Sequence, residues 1–373
     1  GGDLRGLRPA PVLMGEPVPT GEGPPVSAVV CNYNGEHYLR ECLGSLLASA
    51  YPLDEILVVD NGSTDASVEL VRAEFPSVRL LRLPDNGGPC VARNAGLRAA
   101  RNRLVLAVDN DAMLQPDTLE GLVEAVGAGA TAAQPRSVYA DEPARVHYDG
   151  GAFHYVGLYA LRNFARPLAE AEGRGTVDVD GLIAICILFD REAYEEVGGY
   201  DEDLFILFED MDLSMRLRIA GHRLVSVEDK LVLHRGGTPG ISFRGSSYPK
   251  FRAYYHSRNR WLVMLKNYRW RTLLAAAPGI LLYEVVWALF TLRSGHFRAH
   301  LAGKLALLGG LRAVLARRRE VQALRRVSDR ELLVEGPLTF SPQLVAKPGA
   351  ARLAAGLDAC LRLAWRAMRW LSR

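Results

Sequence analysis

One stretch decides the fold: residues 104–111 read LVLAVDND, five apolar residues followed by Asp109, Asn110 and Asp111. The apolar run is typical of a strand that is buried on both faces of a sheet. Carboxylates at the edge of a core are costly unless they are paired or bound to a cation, and two of them one residue apart suit a hard divalent metal. Such a metal usually keeps water and binds substrate phosphates. The stretch therefore predicts a site for a nucleoside diphosphate.

Short apolar runs alternate with amphipathic segments on both sides of this stretch. The predicted strands cover 27–31, 55–59, 78–83 and 104–108, and the predicted helices cover 38–47, 66–74 and 91–100. This alternation is typical of a mostly parallel sheet with helices on both faces. Ligands bind beyond the carboxyl ends of the strands in such sheets, and polar residues follow the first, second and fourth predicted strands.

Two of these strand ends carry further candidate binding residues. Asn32, Tyr33 and Asn34 follow the first strand and offer hydrogen bonds and an aromatic face, although an Asn-Gly turn is also ordinary loop chemistry. Asp60 follows the second strand, where its carboxylate can accept a hydrogen bond from a base or a ribose. The alternative, a helix N-terminal cap, suits residues 63–65 better than Asp60.

A glycine-containing loop at 86–88 leads into a helix whose first turn carries Arg93. Exposed N–H groups at a helix start favour phosphate, and Arg93 adds a fixed charge, although a plain loop and helix start explain the same residues. Residues 181–189 are predicted to form another strand. Glu209, Asp210 and Asp212 open a helix that ends before Gly221. They either satisfy the helix dipole or supply a base towards a substrate hydroxyl.

His234 follows the apolar run 231–233 and so ends a predicted strand. A single histidine is more often structural than a ligand, but one at a strand end near a carboxylate pair can complete a metal site.

The bulk composition excludes several classes of protein. The 373 residues are 49% hydrophobic and 23% charged with a net charge of +3, which does not suit a nucleic-acid binder or a disordered chain. The five cysteines are scattered and never form a C-x-x-C pair, so we expect a reducing compartment and neither a disulfide framework nor a zinc site. Residues 1–25 are rich in Gly and Pro without an apolar core, and we expect a flexible lead-in rather than a signal peptide.

The C-terminal third differs in composition from the rest. Residues 273–292 are apolar apart from Glu284, which is long enough to cross a bilayer, but Pro278 and that charge leave an interfacial or hairpin helix open. Residues 299–318 and 351–370 alternate Leu, Ala and Trp with Arg at helical spacing. They fit either a basic surface on anionic lipid or a solvated face of an ordinary bundle.

Taken together, these motifs resemble the family 2 glycosyltransferases of the GT-A fold, especially the non-processive, rhamnosyltransferase-like branch. The match is carried by residues 29–34, 58–65, 92–96, 108–111 and 198–216. The resemblance implies an α/β fold: a Rossmann-like, nucleotide-binding, mostly parallel sheet with flanking helices, followed by a C-terminal helical, membrane-associating region. It implies a catalytic domain over 26–237, with a nucleotide-sugar half at 26–131 and an acceptor half at 132–237, and a helical region over 238–373.

The resemblance also implies transfer of one sugar from a nucleotide donor with inversion, and it assigns roles to the candidate residues. Asp60 would contact the base, Asp109 the ribose or the metal, and Asp111 the metal, with His234 as a further ligand of Mn²⁺ or Mg²⁺. Asp210 would be the general base and Glu209 would help to hold the acceptor. The residues expected around the nucleotide sugar are Asn32, Tyr33, Asn34, Asp60, Asn61, Arg93, Asn94, Asp109 and Asn110.

The sequence departs from the family pattern at two places. Pro89-Cys90 stands where small or aromatic residues are expected. The Q-x-x-R-W segment of processive members is absent, and residues 258–261 (RNRW) are only its nearest counterpart, so addition of a single sugar is favoured. We expect a dTDP- or UDP-sugar donor, a glycan or polyprenyl-linked acceptor, and a cytoplasmic location at the inner face of the cell membrane.

Two alternative functions belong to other classes. A nucleotidyltransferase would more typically show a glycine-rich loop with Lys or Arg directly after the first strand, where this chain has 31–35 (CNYNG). A degenerate glycan-binding or scaffold protein would have little need of the carboxylates Asp109, Asp111 and Asp210.

Overall fold

The computed structural model describes residues 23–236 and 248–372. Within those residues the chain forms two compact units. The first comprises 23–150, 162–205 and 222–236, and the second comprises 151–161, 206–221 and 248–372. Residues 1–22 of the lead-in expected at 1–25 lie outside the described residues. The first unit ends at Gly236, next to the boundary expected at 237, while 206–221 belongs with the C-terminal segment.

The strands are β1 (Val26–Asn32), β2 (Glu55–Asp60), β3 (Arg79–Arg82), β4 (Leu104–Asp109), β5 (Ala112–Leu114), β6 (Ala132–Tyr139), β7 (Val146–Tyr148), β8 (Gly151–His154), β9 (Leu158–Leu161), β10 (Thr176–Val179), β11 (Cys186–Asp190), β12 (Leu224–His234) and β13 (Leu333–Val334). The helices are α1 (Glu36–Leu47), α2 (Ser67–Glu74), α3 (Pro89–Ala99), α4 (Thr118–Gly127), α5 (Arg191–Glu196), α6 (Glu209–Ile219), α7 (Lys250–Asn267), α8 (Trp270–Arg293), α9 (Phe297–Gly309), α10 (Leu311–Ala323), α11 (Asp329–Leu332), α12 (Pro342–Val345) and α13 (Pro348–Met368).

The first unit is built on one sheet, with the strand order β10-β12-β6-β11-β4-β1-β2-β3. Strands β4, β1, β2 and β3 are parallel neighbours, and β6 and β12 form a second parallel pair. Strand β11 lies antiparallel between β4 and β6, while β5 and β7 extend the sheet from β12 and β6. The expected α/β architecture is confirmed, with the parallel half of the sheet formed by the strands that the sequence predicts.

The strands of the parallel half form because their residues can be buried on both faces. All six residues of β2 and the first five of β4 are buried, and aliphatic residues make up most of both segments, which suits a strand covered on both faces of a sheet. Helices α1 and α4 cover one face of the sheet, where Leu39, Leu43 and Leu122 join the same core cluster as Val30 and Leu106.

The strand predicted over 181–189 begins only at Cys186. Just before it, the Ile185 carbonyl accepts from the Asp109 N–H of β4 at 2.9 Å, but other backbone groups of this segment are bonded to side chains. Ile183 N–H donates to Gln134 Oε1 at 2.7 Å, and the Ala184 carbonyl accepts from Arg93 Nη2 at 2.9 Å. The prediction of strand structure at 181–185 was therefore wrong, because an apolar run alone does not reveal such side-chain partners.

The second unit is mainly helical and contains the small sheet β13-β8-β9. Helix α8 runs from Trp270 to Arg293 around an internal Pro278, and by length and hydropathy it is the one described helix that could cross a membrane by itself. The helix predicted over 299–318 is two helices, α9 and α10, which meet at Gly309-Gly310 with a bend of 66°. Two adjacent glycines lower helix propensity enough to explain the break.

Candidate active site

Three neighbouring parallel strands end in polar residues at one edge of the sheet. Strand β1 ends at Asn32, β2 at Asp60 and β4 at Asp109. The register aligns Asn32 with Asp60 and Cys31 with Asp109. Because in-register parallel strands end side by side, the predicted polar edge is formed as the sequence indicates.

A chain of hydrogen bonds links these strand ends. Asn110 Nδ2 donates to Asn32 Oδ1 at 2.7 Å, and Asn32 Nδ2 donates to Asp60 Oδ1 at 3.3 Å. Asp60 is fully buried, and its second oxygen accepts from the Ser63 N–H at 3.3 Å. Arg82 Nε lies 3.7 Å from that same oxygen, so the buried carboxylate has both hydrogen bonds and an opposite charge.

Gly35 makes room for the contact between the two amides. A Cβ at this position would lie 1.9 Å from Asn110 Nδ2 and 2.4 Å from Asn32 Oδ1. Both distances are far below van der Waals contact, so no larger residue fits while the amides stay hydrogen-bonded.

The other residues expected near the nucleotide sugar occupy the surrounding loops. Asn34 has φ +49° and its Oδ1 accepts from the Thr64 N–H at 2.8 Å, which joins the loops after β1 and β2. Asn61 donates to Asn86 Oδ1 at 2.9 Å and accepts from the Gly87 N–H at 3.2 Å, so it shapes the loop before α3. Tyr33 is 47% exposed.

Asp109, Asp111 and His234 form a cluster in which one ligand atom from each lies within 4.8 Å of the others. Strand pairing explains how residues so far apart in sequence meet. The short strand β5 follows Asp111 directly and pairs antiparallel with the end of β12, where His234 is aligned with Ala112. Two carboxylates and an imidazole are suitable ligands for Mn²⁺ or Mg²⁺, so the donor set fits the predicted metal.

The two carboxylates of this cluster have different surroundings. Burial raises the pKa of Asp109, as does the nearby charge of Asp111, against the opposing effect of Arg93, whose Nη2 lies 2.7 Å from Asp109 Oδ1. Burial also favours the neutral form of Asp111, but the hydrogen bond and charge of His234, together with backbone N–H donors, outweigh it and lower the pKa of Asp111. His234 Nε2 lies 3.2 Å from Asp111 Oδ1. A bound cation would favour the charged form of both carboxylates.

Arg93 is 6% exposed and is held by the Asp109 carboxylate and the Ala184 carbonyl. Its contact with a phosphate stays a prediction. Asn94 is buried and braces a loop: its Nδ2 donates to Glu202 Oε1 at 2.7 Å, and its Oδ1 accepts from the Tyr200 N–H at 2.9 Å. We therefore leave Asn94 out of the donor-binding residues proposed below.

His147 is a neighbour of the cluster that the sequence does not indicate. Its Nδ1 lies 3.0 Å from His234 Nδ1, and the ring of Tyr139 stacks on it at 4.2 Å. Because the Nδ1 atom of His234 is engaged in this way, its Nε2 atom faces Asp111. Histidine ligands of metals are commonly oriented through the second ring nitrogen in this manner.

In the second unit, Glu209 and Asp210 are the first two residues of α6. The backbone before them is left-handed at Leu207 (φ +68°) and Phe208 (φ +73°), a conformation that is costly for side chains with a Cβ. Asn259 Nδ2 donates to the Leu207 carbonyl at 2.9 Å and to the carbonyl before it, which stabilises this turn. The Met211 N–H donates to Asp210 Oδ1 at 2.6 Å. Backbone strain of this kind clusters at functional sites.

Asp212 is the third acidic residue of α6 and anchors the helix. Its carboxylate is fully buried and lies 2.8 Å from Lys266 Nζ and 2.8 Å from Arg216 Nη2, while Asn267 Nδ2 donates to it at 2.8 Å. Burial works against its charge, but Lys266 and Arg216 outweigh that effect and lower the pKa of Asp212 to about 2. Asp212 is therefore a structural ion partner, and the sequence alone did not separate it from its two neighbours.

The mixed sheet, with a parallel half whose strands end in polar residues, is of the GT-A type. The family model described as glycosyltransferase like family 2 matches residues 24–263. The chain belongs to this family.

Named relatives agree with this assignment. An N-acetylglucosaminyl-diphospho-decaprenol L-rhamnosyltransferase of Mycobacterium tuberculosis is 31% identical over 236 residues, which cover 56% of this chain and 75% of that protein. The succinoglycan biosynthesis protein ExoO of Rhizobium meliloti is 42% identical over 109 residues, which span only 31% of its length. A crystal structure of GalNAc-T7 with UDP, GalNAc and Mn²⁺ matches with a TM-score of 0.54 at 18% identity, over 69% of this chain and 51% of that one, which shows a shared fold.

Proposed function

We propose that the chain transfers a single sugar from a nucleoside-diphosphate sugar to a hydroxyl of a polyprenyl-linked glycan, with inversion at the anomeric carbon. The observation that carries the proposal is the cluster of Asp109, Asp111 and His234, which lies at the carboxyl-end edge of the sheet, where open α/β sheets bind their ligands. The mycobacterial relative is named as a rhamnosyltransferase for a decaprenol-linked acceptor, which supports the acceptor class. The donor is proposed to be a dTDP- or UDP-sugar, and the reaction to occur at the cytoplasmic face of the cell membrane.

The first unit is proposed to bind the donor. Asp60 accepts a hydrogen bond from the base, and the amides of Asn32 and Asn110 define the floor beside it. Asp109, Asp111 and His234 would hold a divalent cation, which when bound would act as a Lewis acid and neutralise charge on the diphosphate. His147 keeps the His234 ring oriented, so that its Nε2 atom stays directed at Asp111.

Asp210, at the start of α6, is proposed to be the general base. Asp210 takes the proton from the acceptor hydroxyl as the oxygen attacks the anomeric carbon. The new bond between carbon and the acceptor oxygen forms on the face opposite the diphosphate, whose bond to the same carbon breaks, and this gives inversion. Glu209 helps to hold the acceptor. The left-handed turn before α6 and its contact with Asn259 support this assignment, because they fix the start of the helix that carries both carboxylates.

The test begins with donor binding. Thermal stabilisation of the protein by a panel of nucleotide sugars, each with and without Mn²⁺, is expected to show a metal-dependent shift with one donor. Asp210→Asn is then expected to keep that shift while transfer to a GlcNAc-diphosphoprenol acceptor falls by roughly 10³-fold or more, because only the proton acceptor is removed. Asp229→Asn changes an exposed aspartate and serves as the matched control. Normal turnover by the Asp210→Asn variant would remove Asp210 from the mechanism.

A further inference from the structure

Helices α8 and α9 each present a row of large apolar side chains to solvent. The row on α8 is Leu274, Leu281, Val285, Leu289 and Leu292, and the row on α9 is Leu301, Leu305 and Leu308. These side chains are between 47% and 66% exposed. Their spacing of three or four residues, with one step of seven on α8, places each row on a single helical face. Soluble proteins rarely expose apolar rows of this size without a partner.

The only acidic residue of α8 ties the middle of that helix to its neighbours. Lys304 of α9 places its Nζ 2.7 Å from Glu284, and Trp261 of α7 donates its Nε1–H to the same carboxylate at 2.7 Å. Arg260 of α7, which is 1% exposed, pairs with it as well. If this carboxylate moved into lipid, these partners would have to be removed from it or buried with it. The cluster thus favours a helix that stays packed on α7 and α9.

The inner face of α8 is also occupied by protein. Gly279 approaches Tyr155 so closely that a Cβ there would lie 2.0 Å from the tyrosine hydroxyl. Tyr155 in turn stacks on Trp365 of α13 at 4.6 Å. Helix α8 is long and apolar enough to span a bilayer, but one side of it is committed to these contacts and only the other side is free for lipid.

A basic pocket lies at the start of α8, at the end of its apolar row. It is open to solvent, has a volume of about 710 Å³, and is lined by Arg269, Trp270, Arg271, Leu315, Arg318, Arg319 and Gln322. The Arg318 guanidinium stacks on the Trp270 ring at 3.9 Å and donates to the Leu265 carbonyl at 2.6 Å. None of the described residues that line the pocket is acidic. Arginine suits phosphate, and tryptophan is typical of the membrane interface.

We infer that the apolar rows of α8 and α9 dock into the interface of an anionic phospholipid bilayer, with a lipid phosphate bound in the arginine and tryptophan pocket. Helix α8 then lies along the membrane surface and does not cross it. Charge complementarity selects this partner, since four arginines line a pocket at the end of an exposed apolar row. The inference extends the proposed use of a lipid-linked acceptor, and its test uses neither donor nor acceptor, so each proposal can fail alone.

The test measures co-sedimentation of the full chain with vesicles of phosphatidylcholine, with or without about 30 mol% phosphatidylglycerol. Binding is expected only to the anionic vesicles. The double variant Arg269→Gln/Arg319→Gln is expected to bind roughly 25-fold more weakly, at about five-fold for each arginine near the surface. Arg72→Gln, an exposed arginine of α2, is the control for lost charge and is expected to bind as the parent does.

The double variant Leu281→Gln/Leu289→Gln tests the apolar row, and it is expected to lose at least roughly tenfold in binding. Leu47→Gln, a leucine of α1 that is 50% exposed, is its control. Release of the bound protein by alkaline carbonate is the expected result for a helix on the surface. Retention after carbonate would overturn the interfacial mode in favour of a span.

Three further outcomes would overturn the inference. Equal binding by parent and both double variants would show that another surface contacts the lipid. Full displacement from the anionic vesicles by inorganic phosphate would make the pocket a site for free phosphate. A dimer that Leu281→Gln/Leu289→Gln converts to a monomer, with vesicle binding unchanged, would identify a second copy of the chain as the occupant of the apolar rows.

Discussion

Replacement of Asp212 by asparagine is expected to destabilise the second unit while leaving its shape almost unchanged. The carboxylate is fully buried and contacts Lys266 and Arg216 at 2.8 Å each. The amide of Asp212→Asn can keep a hydrogen bond to Asn267, but it leaves two buried cations without their counter-charge. Removal of one partner from a buried ion pair costs about 3–5 kcal/mol.

The pKa of the Asp212 carboxyl provides an independent value for the stability that its charge contributes. It is lowered from the ordinary value of 3.8 to about 2, which corresponds to about 2 kcal/mol of stability at about 1.4 kcal/mol for each tenfold change in proton affinity. The folded value lies below the unfolded one, so this stability is present above about pH 4 and is lost as the pH falls towards 2. We therefore expect Asp212→Asn to lower the free energy of unfolding by about 2–5 kcal/mol at neutral pH.

The pH dependence distinguishes the lost charge from a packing defect. Protonated Asp212 resembles asparagine in charge, so the difference between parent and variant is expected to narrow on acidification, with about half of the linked stability gone by about pH 3. Urea unfolding followed by circular dichroism measures both free energies, with the exposed Asp229→Asn as a control expected to stay within about 0.5 kcal/mol of the parent. Equal stability at neutral pH, or a difference that stays constant down to about pH 3, would refute this reasoning.

Three further outcomes are expected around the strand ends of the first unit. Asp111→Ala is expected to weaken metal-dependent donor binding by at least roughly tenfold in calorimetry, and equal donor affinity at saturating Mn²⁺ would contradict the assignment. Gly35→Ala is expected to lower donor affinity with little change in Tm, because its Cβ would displace Asn110 from Asn32; an unchanged Kd would show that the amide contact is dispensable. His147→Ala is expected to weaken Mn²⁺ binding by roughly 10–100-fold, since the His234 ring loses its orienting partner, whereas a loss of stability with unchanged Mn²⁺ affinity would leave His147 a packing role only.

The parallel half of the sheet and its polar edge could be predicted because both depend on local pattern. A buried parallel strand needs a nearly continuous apolar run, and the ends of neighbouring strands meet wherever those runs stop. The positions of Asp60 and Asp109 at strand ends can therefore be predicted from the sequence. The position of His234 can be predicted for the same reason, because it ends a strand. Its alignment with Ala112, however, depends on the pairing of β5 and β12.

The residues that the sequence did not indicate depend on contacts between distant segments. Residues 146–148 form a strand of only three residues, which is too short for its pattern to separate His147 from a structural histidine. Asp212 resembles an ordinary acid in a first helical turn until Lys266 is seen beside it. In the sequence, residues 258–261 draw attention only because they do not match the Q-x-x-R-W segment. In the structure, Asn259 donates a hydrogen bond to the left-handed turn before α6.

The pairing of β5 with β12 has a consequence for how the first unit can be handled. Asp109 and Asp111 precede β5, whereas His234 closes the last strand of the unit, so the three donors share one small volume only when that pairing is complete. A cation bound by all three would reversibly cross-link the end of β4 to the end of β12. Because it binds only the folded unit, it would stabilise that unit by mass action. A fragment that stops before β12 lacks the third donor altogether. A melting temperature that falls when a chelator is added would therefore indicate both that β5 is paired with β12 and that the metal site is complete.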